Sequence, residues 1–285
     1  MCKQGLIHVC FILDESGSMH GSESDVIGGF NKTIDEQREI KDGECLVSYF
    51  KFSDNVTEVF VGKKLDEIKP LTRGSSSFLY TSNAFYYKMN ADGTFTTDCS
   101  CEQWENDKTY EYSPNGCTAM NDGIGTAIDK IGKWLADMPE EERPSKNLIV
   151  IMTDGEENSS REYTLSRVKE MIQHQTEKYN WTFVYMGMDI TSAKCADNLG
   201  INNRSFSSKS SVDTYKNYDN ISSAVKSYRM SEAKFADETM CMSLCSALGE
   251  MTKSYETKFG PLTLGSDSLA TYPWVWDNRP WPWEN

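Results

Sequence analysis

The stretch HVCFILDESGSMHGS, residues 8–22, joins an apolar run to a row of small oxygen-bearing side chains. Residues 6–13 are continuously apolar, as in a strand that is buried on both faces of a parallel sheet. Asp14, Ser16 and Ser18 follow at alternate positions. Because a turn after a strand can direct alternate side chains toward one point, the stretch predicts a cluster of oxygen ligands where a buried strand ends.

Strand-like and helix-like segments alternate along the rest of the chain. Residues 44–62 contain two β-rich runs joined by S-D-N, which predicts a hairpin. Further strands are predicted at 146–154, 181–189 and 204–207, and helices at 26–40, 118–138, 162–179, 191–200 and about 214–229. This order predicts an α/β fold with a doubly wound, mainly parallel (Rossmann-like) sheet, one antiparallel edge strand and helices on both faces.

Two segments do not follow this alternation. Residues 74–112 are rich in Ser, Thr, Asn and Tyr, and we interpret them as an insertion on the rim of the sheet with a possible hairpin around N-A-D-G-T. Residues 231–285 form a C-terminal extension that opens with a plausible helix and ends in a Trp- and Pro-rich tail. We therefore expect one domain at 5–230, and a tail that packs on its own domain or docks on another chain.

Composition excludes several functional classes. The net charge of −14 and the isoelectric point near 4.7 disfavour binding to nucleic acid. No window of 18 apolar residues and no secretory leader is found, so we expect a cytoplasmic protein, or one in the virion or host cytoplasm if it is phage-encoded. Nine scattered cysteines do not resemble a disulfide framework and indicate a reducing compartment.

Oxygen-bearing side chains from three separate segments are expected at one edge of the sheet. The first strand ends at Asp14 and a later one at Asp154, and the carboxyl ends of parallel strands share an edge. The long helix that starts near Thr118 brings its first turn to the same place. Two carboxylates and three hydroxyls suit a hard divalent cation, Mg²⁺ or Mn²⁺. The predicted ligands are Asp14, Ser16, Ser18, Thr118 and Asp154.

The segments DESGSM, GCTAMNDGI and IVIMTDGEEN resemble the three pieces of the metal-ion-dependent adhesion site of von Willebrand factor type A (VWA) domains. The first corresponds to the D-x-S-x-S of that family, and the others supply its threonine and aspartate. The likeness covers about residues 5–230 without the insertion, and residues 183–201 are similar to stand-alone bacterial and phage members. It implies a VWA fold and a protein partner whose carboxylate completes the coordination of the metal.

Other interpretations of single residues remain open at this stage. Asp14, Ser16 and Ser18 could instead cap a helix, since these residue types favour helix starts. Glu15 and Glu156 are interpreted as solvated charges beside the ligands, and Asp122 as a surface or supporting residue. In the insertion, the C-x-C formed by Cys99 and Cys101 lacks evident further ligands for zinc.

The expected function is that of a metal-dependent protein-binding module. An alternative is a structural or assembly protein, for example of a phage or bacterial particle, which uses the same fold as a scaffold. A metal-dependent hydrolase is disfavoured because the sequence has no G-x-x-x-x-G-K-[ST] phosphate loop and only three histidines. We therefore predict that the chain is not an enzyme.

Overall fold

The computed structural model describes residues 2–74, 88–89, 95–96, 110–187 and 192–206, together with 221–223, 225–226 and 228–229. Most of the predicted insertion lies outside these residues, including Cys99 and Cys101. The whole C-terminal extension also lies outside them.

A six-stranded sheet forms the centre of the domain, with the spatial order β10-β9-β8-β1-β2-β3. The strands are, in chain order, β1 (Lys3–Asp14), β2 (Glu44–Phe52), β3 (Val56–Lys64), β4 (Thr72–Arg73), β5 (Lys88–Met89), β6 (Phe95–Thr96), β7 (Glu111–Tyr112), β8 (Pro144–Thr153), β9 (Thr182–Gly187) and β10 (Asn203–Phe206). All neighbours in the sheet are parallel except β2 and β3, which form the predicted hairpin. The mainly parallel sheet with one antiparallel edge strand is thus confirmed.

The register brings the carboxyl ends of the central strands to one level. Asp14 at the end of β1 lies beside Phe52 at the end of β2, and Leu13 lies beside Met152 of β8. Side chains that follow β1 and β8 therefore start from the same edge, as the sequence predicted.

Helices cover both faces of the sheet, and each face has its own apolar core. The helices are α1 (Glu23–Glu39), α2 (Met120–Asp137), α3 (Leu165–Tyr179) and α4 (Ser192–Leu199). One core joins Phe11 and Tyr49 to Phe30 of α1, and the other joins Ile12 to Ile128 of α2 and to buried residues of α3 and α4. Because successive side chains of β1 alternate between the two cores, its continuous apolar run is explained.

The predicted boundaries hold within a few residues. Strand β1 starts at Lys3, earlier than predicted, and α1 starts at Glu23 rather than at residue 26. Helix α4 is closed by Gly200, whose φ of +75° is favoured by glycine. The described residues between 221 and 229 are helical, in agreement with the last predicted helix.

The described parts of the predicted rim insertion, and the residues at its two ends, have regular structure. Strands β5 and β6 pair antiparallel, which confirms the hairpin around N-A-D-G-T. Strands β4 and β7, at the two ends of the predicted insertion, pair in parallel. Tyr110 and Tyr112 are buried in the core on the α1 side, so the last residues of the predicted insertion belong to the core. Among the helices that the structure describes, none is long and apolar enough to cross a membrane.

Candidate metal site

Asp14 is fully buried at the end of β1, and both of its carboxylate oxygens accept hydrogen bonds. The backbone N–H of Ser16 donates to Oδ1 at 2.7 Å, and the Thr153 hydroxyl donates to Oδ2 at 2.6 Å. Thr153 is the last residue of β8 and is itself fully buried. These two bonds fix the orientation of the carboxylate at the edge of the sheet. The sequence-based prediction did not include Thr153.

The two serines connect Asp14 to the second strand end through a chain of hydroxyl groups. Ser18 Oγ donates to Asp154 Oδ1 at 2.7 Å, and the oxygens of Ser16 and Ser18 are 2.9 Å apart. Since the Ser18 proton goes to Asp154, Ser16 is the donor in the bond between the serines. Four of the five predicted ligands therefore lie in one connected cluster.

Thr118, the fifth predicted ligand, lies beside the same cluster. A Cβ atom built on Gly155 would be 3.2 Å from Thr118 Oγ1 and 3.4 Å from Ser18 Oγ. Both hydroxyl oxygens thus lie close to Gly155, and a side chain at this position would press against them. Gly155 keeps side-chain atoms away from the space between these oxygens, which is what a small cation between them requires.

The helix-capping interpretation of the Asp/Ser cluster is wrong. Ser16 precedes a short 3₁₀ turn, Gly17–Met19, but its side chain makes no capping hydrogen bond. Helix α1 begins at Glu23 after Ser22, several residues beyond the cluster. The oxygens of Asp14, Ser16 and Ser18 are therefore directed at one another and at Asp154 rather than at a helix end.

The interpretation of Glu15 as a solvated charge is also wrong. Its carboxylate accepts a 3.1 Å ion-pair hydrogen bond from Lys51 Nζ, and the Glu15 and Lys51 side chains are 14% and 10% exposed. The sequence could not reveal this pair because its members lie on different strands, 36 residues apart. Glu156, by contrast, is exposed as expected.

The loop after β8 holds the start of α2 in place. Asn158 Oδ1 accepts a hydrogen bond from the Thr118 N–H at 2.8 Å, and Glu157 accepts one from the Asn121 N–H at 2.8 Å. In return, the Asp122 carboxylate accepts from three successive backbone N–H groups of the loop, residues 161–163. Free N–H groups at a helix start need such acceptors. Asp122 therefore has a supporting role, which was one of the two roles predicted for it from the sequence.

Burial controls the electrostatics of Asp14. Removal from water raises the pKa of its carboxyl group to about 6, the hydrogen bonds from Thr153 and Ser16 oppose the rise, and the nearby charge of Asp154 adds to it. Burial therefore favours the neutral, protonated form of Asp14 over the carboxylate. A cation at the site would reverse this preference, because an opposite charge favours the carboxylate form.

The donor set fits a hard divalent cation. In the part of the chain that the structure describes, no three His, Cys, Asp or Glu side chains are grouped closely enough to hold a metal. The cluster instead combines two carboxylates with three hydroxyls. Oxygen-only ligands with few charges and room for water suit Mg²⁺ and Mn²⁺ rather than zinc. Bound there, such an ion would supply an electrophilic centre for an oxygen ligand from outside.

Solved structures with a similar arrangement include several VWA proteins. The PilB minor pilin from Streptococcus sanguinis is 13% identical with a TM-score of 0.45, over 77% of this chain and 61% of the pilin. The von Willebrand factor type A protein from Catenulispora acidiphila is 13% identical with a TM-score of 0.42, over 77% and 42%. The manganese-loaded TRAP protein from Plasmodium vivax is 15% identical with a TM-score of 0.42, over 72% and 69%. The chain thus spans less than two thirds of the pilin and of the Catenulispora protein.

Sequence comparison adds one finding in the C-terminal extension. The family model described as CotJB protein matches residues 239–284. Sequence reasoning had assigned this segment no identity beyond its aromatic and proline content. No curated protein matches the chain by sequence. The strand order, the single antiparallel edge strand and the three motif segments at one edge of the sheet together give this chain a VWA-like fold.

Proposed function

We propose that this chain is a protein-binding module that acts through a divalent cation, Mg²⁺ or Mn²⁺, at the carboxyl edge of its sheet. Asp14, Ser16, Ser18, Thr118 and Asp154 would hold the ion. A carboxylate from a protein partner would occupy a position that the protein ligands leave open. The observation that carries this proposal is the hydrogen-bonded cluster of Asp14, Ser16, Ser18 and Asp154, with the Thr118 hydroxyl close to it beside Gly155.

The chemistry of the cluster favours binding over catalysis. With only two carboxylates among five ligands, the ion would keep most of its positive charge and attract an external anionic oxygen. Of the three described histidines, His8 is fully buried within β1 and His174 lies on α3. Only His20, which follows the turn Gly17–Met19, lies near this edge, and its Nδ1 is 3.4 Å from Glu23 Oε1. We therefore propose recognition of a carboxylate without turnover.

The first experiment measures Mn²⁺ binding by electron paramagnetic resonance on the full chain. Wild-type protein should bind about one equivalent, and Asp14→Ala should weaken binding by 100-fold or more, because it removes a ligand and leaves the hydroxyl cluster without its anchor. Asp66→Ala, which removes an exposed carboxylate in the 3₁₀ turn Leu65–Glu67, is the matched control and should bind as wild type does. Equal affinity in the wild type and Asp14→Ala would refute the proposed site.

A second measurement tests the open position without a known partner. Bound Mn²⁺ that keeps an exchangeable water speeds the relaxation of water protons. Acetate, a simple carboxylate, should displace that water and lower the enhancement in a concentration-dependent way. Relaxation that does not respond to acetate up to near-molar concentration would argue against a carboxylate partner.

The C-terminal extension supports a second candidate, a role in assembly. Residues 239–284 match a family model of their own and follow the VWA-like part, as expected if a binding fold is joined to a unit with a separate task. Sedimentation of the full chain against the variant Trp274→Ala/Trp276→Ala/Trp281→Ala/Trp283→Ala distinguishes the candidates. Assembly predicts self-association that this variant loses without change in Mn²⁺ affinity. A monomer at all concentrations would count against self-assembly.

A further inference from the structure

Strands β4 and β7 pair with each other beside the candidate metal site. Strands β4 and β7 run in parallel, and Thr72 N–H donates to Tyr110 O while Gly74 N–H donates to Tyr112 O, both at 3.0 Å. The segment between them therefore starts and ends at neighbouring points of the domain. Residues 110–116, which follow this segment, lead directly to Thr118. We call residues 110–116 the returning chain.

The ion pair between Glu15 and Lys51 connects residues 110–116 to the turn that carries Asp14, Ser16 and Ser18. Lys51 Nζ donates to Glu15 Oε1 at 3.1 Å and to the carbonyl of Glu111 at 2.6 Å. The same oxygen of Glu15 accepts the N–H of Ser113 at 2.6 Å. One carboxylate between Asp14 and Ser16 thus joins β2 to the returning chain. We call Glu15 and Lys51 the base clamp.

Backbone and hydroxyl bonds complete the connection around the base clamp. The Tyr112 hydroxyl donates to the carbonyl of Asp14 at 2.5 Å, and Asn115 N–H donates to the carbonyl of Glu15 at 2.8 Å. Gly17 N–H donates to the carbonyl of Gly116 at 3.0 Å. Each residue from Asp14 to Gly17, except Ser16, is therefore bonded to the returning chain, and Ser16 is bonded to Asp14 and Ser18 instead.

At Gly116, the returning chain packs tightly against the side chain of Asp54. The φ of Gly116 is +79°, and a Cβ there would lie 2.1 Å from Asp54 Oδ2. Asp54 in turn accepts the N–H of Cys117 at 3.1 Å, next to Thr118. Displacement of the returning chain would therefore disturb Gly17 on one side and Thr118 on the other.

We propose that the base clamp positions the metal ligands, so that ion affinity depends on Glu15 and Lys51 although neither is a ligand. This inference rests on the proposed function, since it concerns the same ion. Glu15 and Lys51 hold residues 111–113, these residues hold the Asp14–Gly17 turn, and the turn sets where the Ser16 and Ser18 oxygens lie. By the same linkage, a bound ion stabilises the returning chain.

The test compares Glu15→Gln, Lys51→Met and the double variant in the full chain. Each single variant should weaken Mn²⁺ binding roughly tenfold, as is typical when a residue that orients metal ligands is removed. The double variant should be no weaker than either single one, because both act through one connection. Lys3→Met is the matched control: Lys3 and Glu44 form a 2.8 Å ion pair that also joins β1 to β2, at the opposite end of the strands. It should leave Mn²⁺ affinity unchanged.

Hydrogen exchange provides a readout that a purely structural ion pair would not change. In wild-type protein, Mg²⁺ should slow exchange of the Ser113 and Asn115 amides. In Glu15→Gln, this protection by Mg²⁺ should be largely lost, while Mg²⁺ still protects the wild type and Lys3→Met. Glu15→Gln keeps an acceptor for Ser113 N–H, so it tests the proposal even if Lys51→Met fails to fold.

Three results separate the outcomes. Loss of Mn²⁺ binding in Asp14→Ala with affinities within twofold of wild type in Glu15→Gln and Lys51→Met would overturn the positioning role and leave the proposed function standing. Unchanged binding in Asp14→Ala would overturn the proposed function itself. A tenfold loss in Lys3→Met as well would assign the effect to general weakening of the sheet and overturn the specific role of the clamp.

Discussion

Among the fully buried side chains of strand β1, His8 and Asp14 differ in their surroundings in a way that separates a structural polar contact from a candidate binding site. His8 lies in the middle of the strand and Asp14 at its end, and both are 0% exposed. Burial disfavours the charged form of each group, so it lowers the pKa of His8 to about 3 and raises that of Asp14 to about 6.

His8 is enclosed by protein on the α2 side of the sheet. Its Nε2 lies 2.7 Å from Ser48 Oγ, which also accepts the N–H of Gly62 at 3.0 Å. The ring of Trp134 packs against the imidazole with 5.0 Å between ring centroids. Ser48 gives the neutral ring a hydrogen bond and neither neighbour supplies a counter-charge, so burial favours the neutral form of His8.

Asp14 is buried at an edge where other oxygens follow it in the sequence. Ser18 is exposed although it donates to the buried Asp154, so the cluster reaches the surface. A shifted pKa alone therefore does not identify a site. What distinguishes Asp14 is a set of oxygens that are bonded together and reach the surface at Ser18.

The largest expected effect concerns His8. Because its folded-state pKa lies below the unfolded value of 6.5, the stability that its neutral form provides is present above pH 6.5 and is lost as the pH falls toward 3. The free energy of unfolding should drop by roughly 2 to 3 kcal/mol between pH 7.5 and 4.5 from this group. Urea unfolding at several pH values measures it.

His8→Gln should flatten that pH dependence, since the amide keeps a hydrogen-bonding group without a proton to gain. His20→Asn is the control, because the side chain of His20 is 65% exposed. If the free energy of unfolding changes with pH equally in the wild type and in His8→Gln, folding does not shift the pKa of His8 and this prediction is wrong.

The next effect has the opposite sign and concerns Asp14. In EDTA at pH 8, Asp14→Asn should stabilise the protein by about 1 to 3 kcal/mol, because it removes a buried charge whose pKa is raised from 3.8 to about 6. The folded state holds the Asp14 proton more tightly than the unfolded state does. The gain should therefore shrink as the pH falls through 6 toward 4.

The same Asp14→Asn protein should lose most of its Mn²⁺ affinity. Gain of stability with loss of ion binding is the combination expected of a residue kept for function. Loss of stability in EDTA would show that the carboxylate is compensated within the protein, and would weaken the contrast with His8.

The smallest effect concerns Thr153, which orients Asp14. Thr153→Val keeps the shape of the side chain and removes the hydroxyl that donates to Asp14 Oδ2 at 2.6 Å. We expect Mn²⁺ binding to weaken about fivefold to tenfold, corresponding to roughly 1 kcal/mol. The pH midpoint of binding should rise, since the lost bond had favoured the carboxylate form.

Thr33→Val is the matched control for Thr153→Val. Thr33 is also a buried threonine, and its hydroxyl donates to Gly29 O within α1 at 2.8 Å. It should leave both the affinity and the pH midpoint of Mn²⁺ binding unchanged. Equal losses in the two variants would indicate a general effect of removing a buried hydroxyl.

Most of the fold could be predicted because local patterns specify it. Unbroken apolar runs distinguish β1 and β8 from amphipathic helices such as α2, and S-D-N marks the turn of the one antiparallel pair. The five candidate ligands could also be predicted, since each follows a strand or precedes a helix whose end was evident. Helix starts were less certain, as α1 shows, because terminal turns depend on contacts outside the helix.

The supporting residues could not be predicted, because their roles depend on partners distant in the sequence. Glu15 was misinterpreted because Lys51 and Ser113 lie 36 and 98 residues away. The sequence analysis assigned no role to Glu157 and Asn158, yet they accept hydrogen bonds from backbone N–H groups at the start of α2. A polar run between a strand and a helix was the only local signal for them.

The sequence by itself determined the order of strands and helices, the sheet edge where Asp14, Ser16, Ser18, Thr118 and Asp154 meet, and the oxygen chemistry of that edge. Periodicity and the shared direction of parallel strands suffice for this, because both are properties of local chain geometry. Only the tertiary structure decided that buried Asp14 belongs to a cluster of oxygens that reaches the surface, whereas buried His8 is enclosed by Ser48 and Trp134. The tertiary structure also decided that Glu15 forms an ion pair with Lys51, because ion pairing and burial depend on distances between strands that no local pattern encodes.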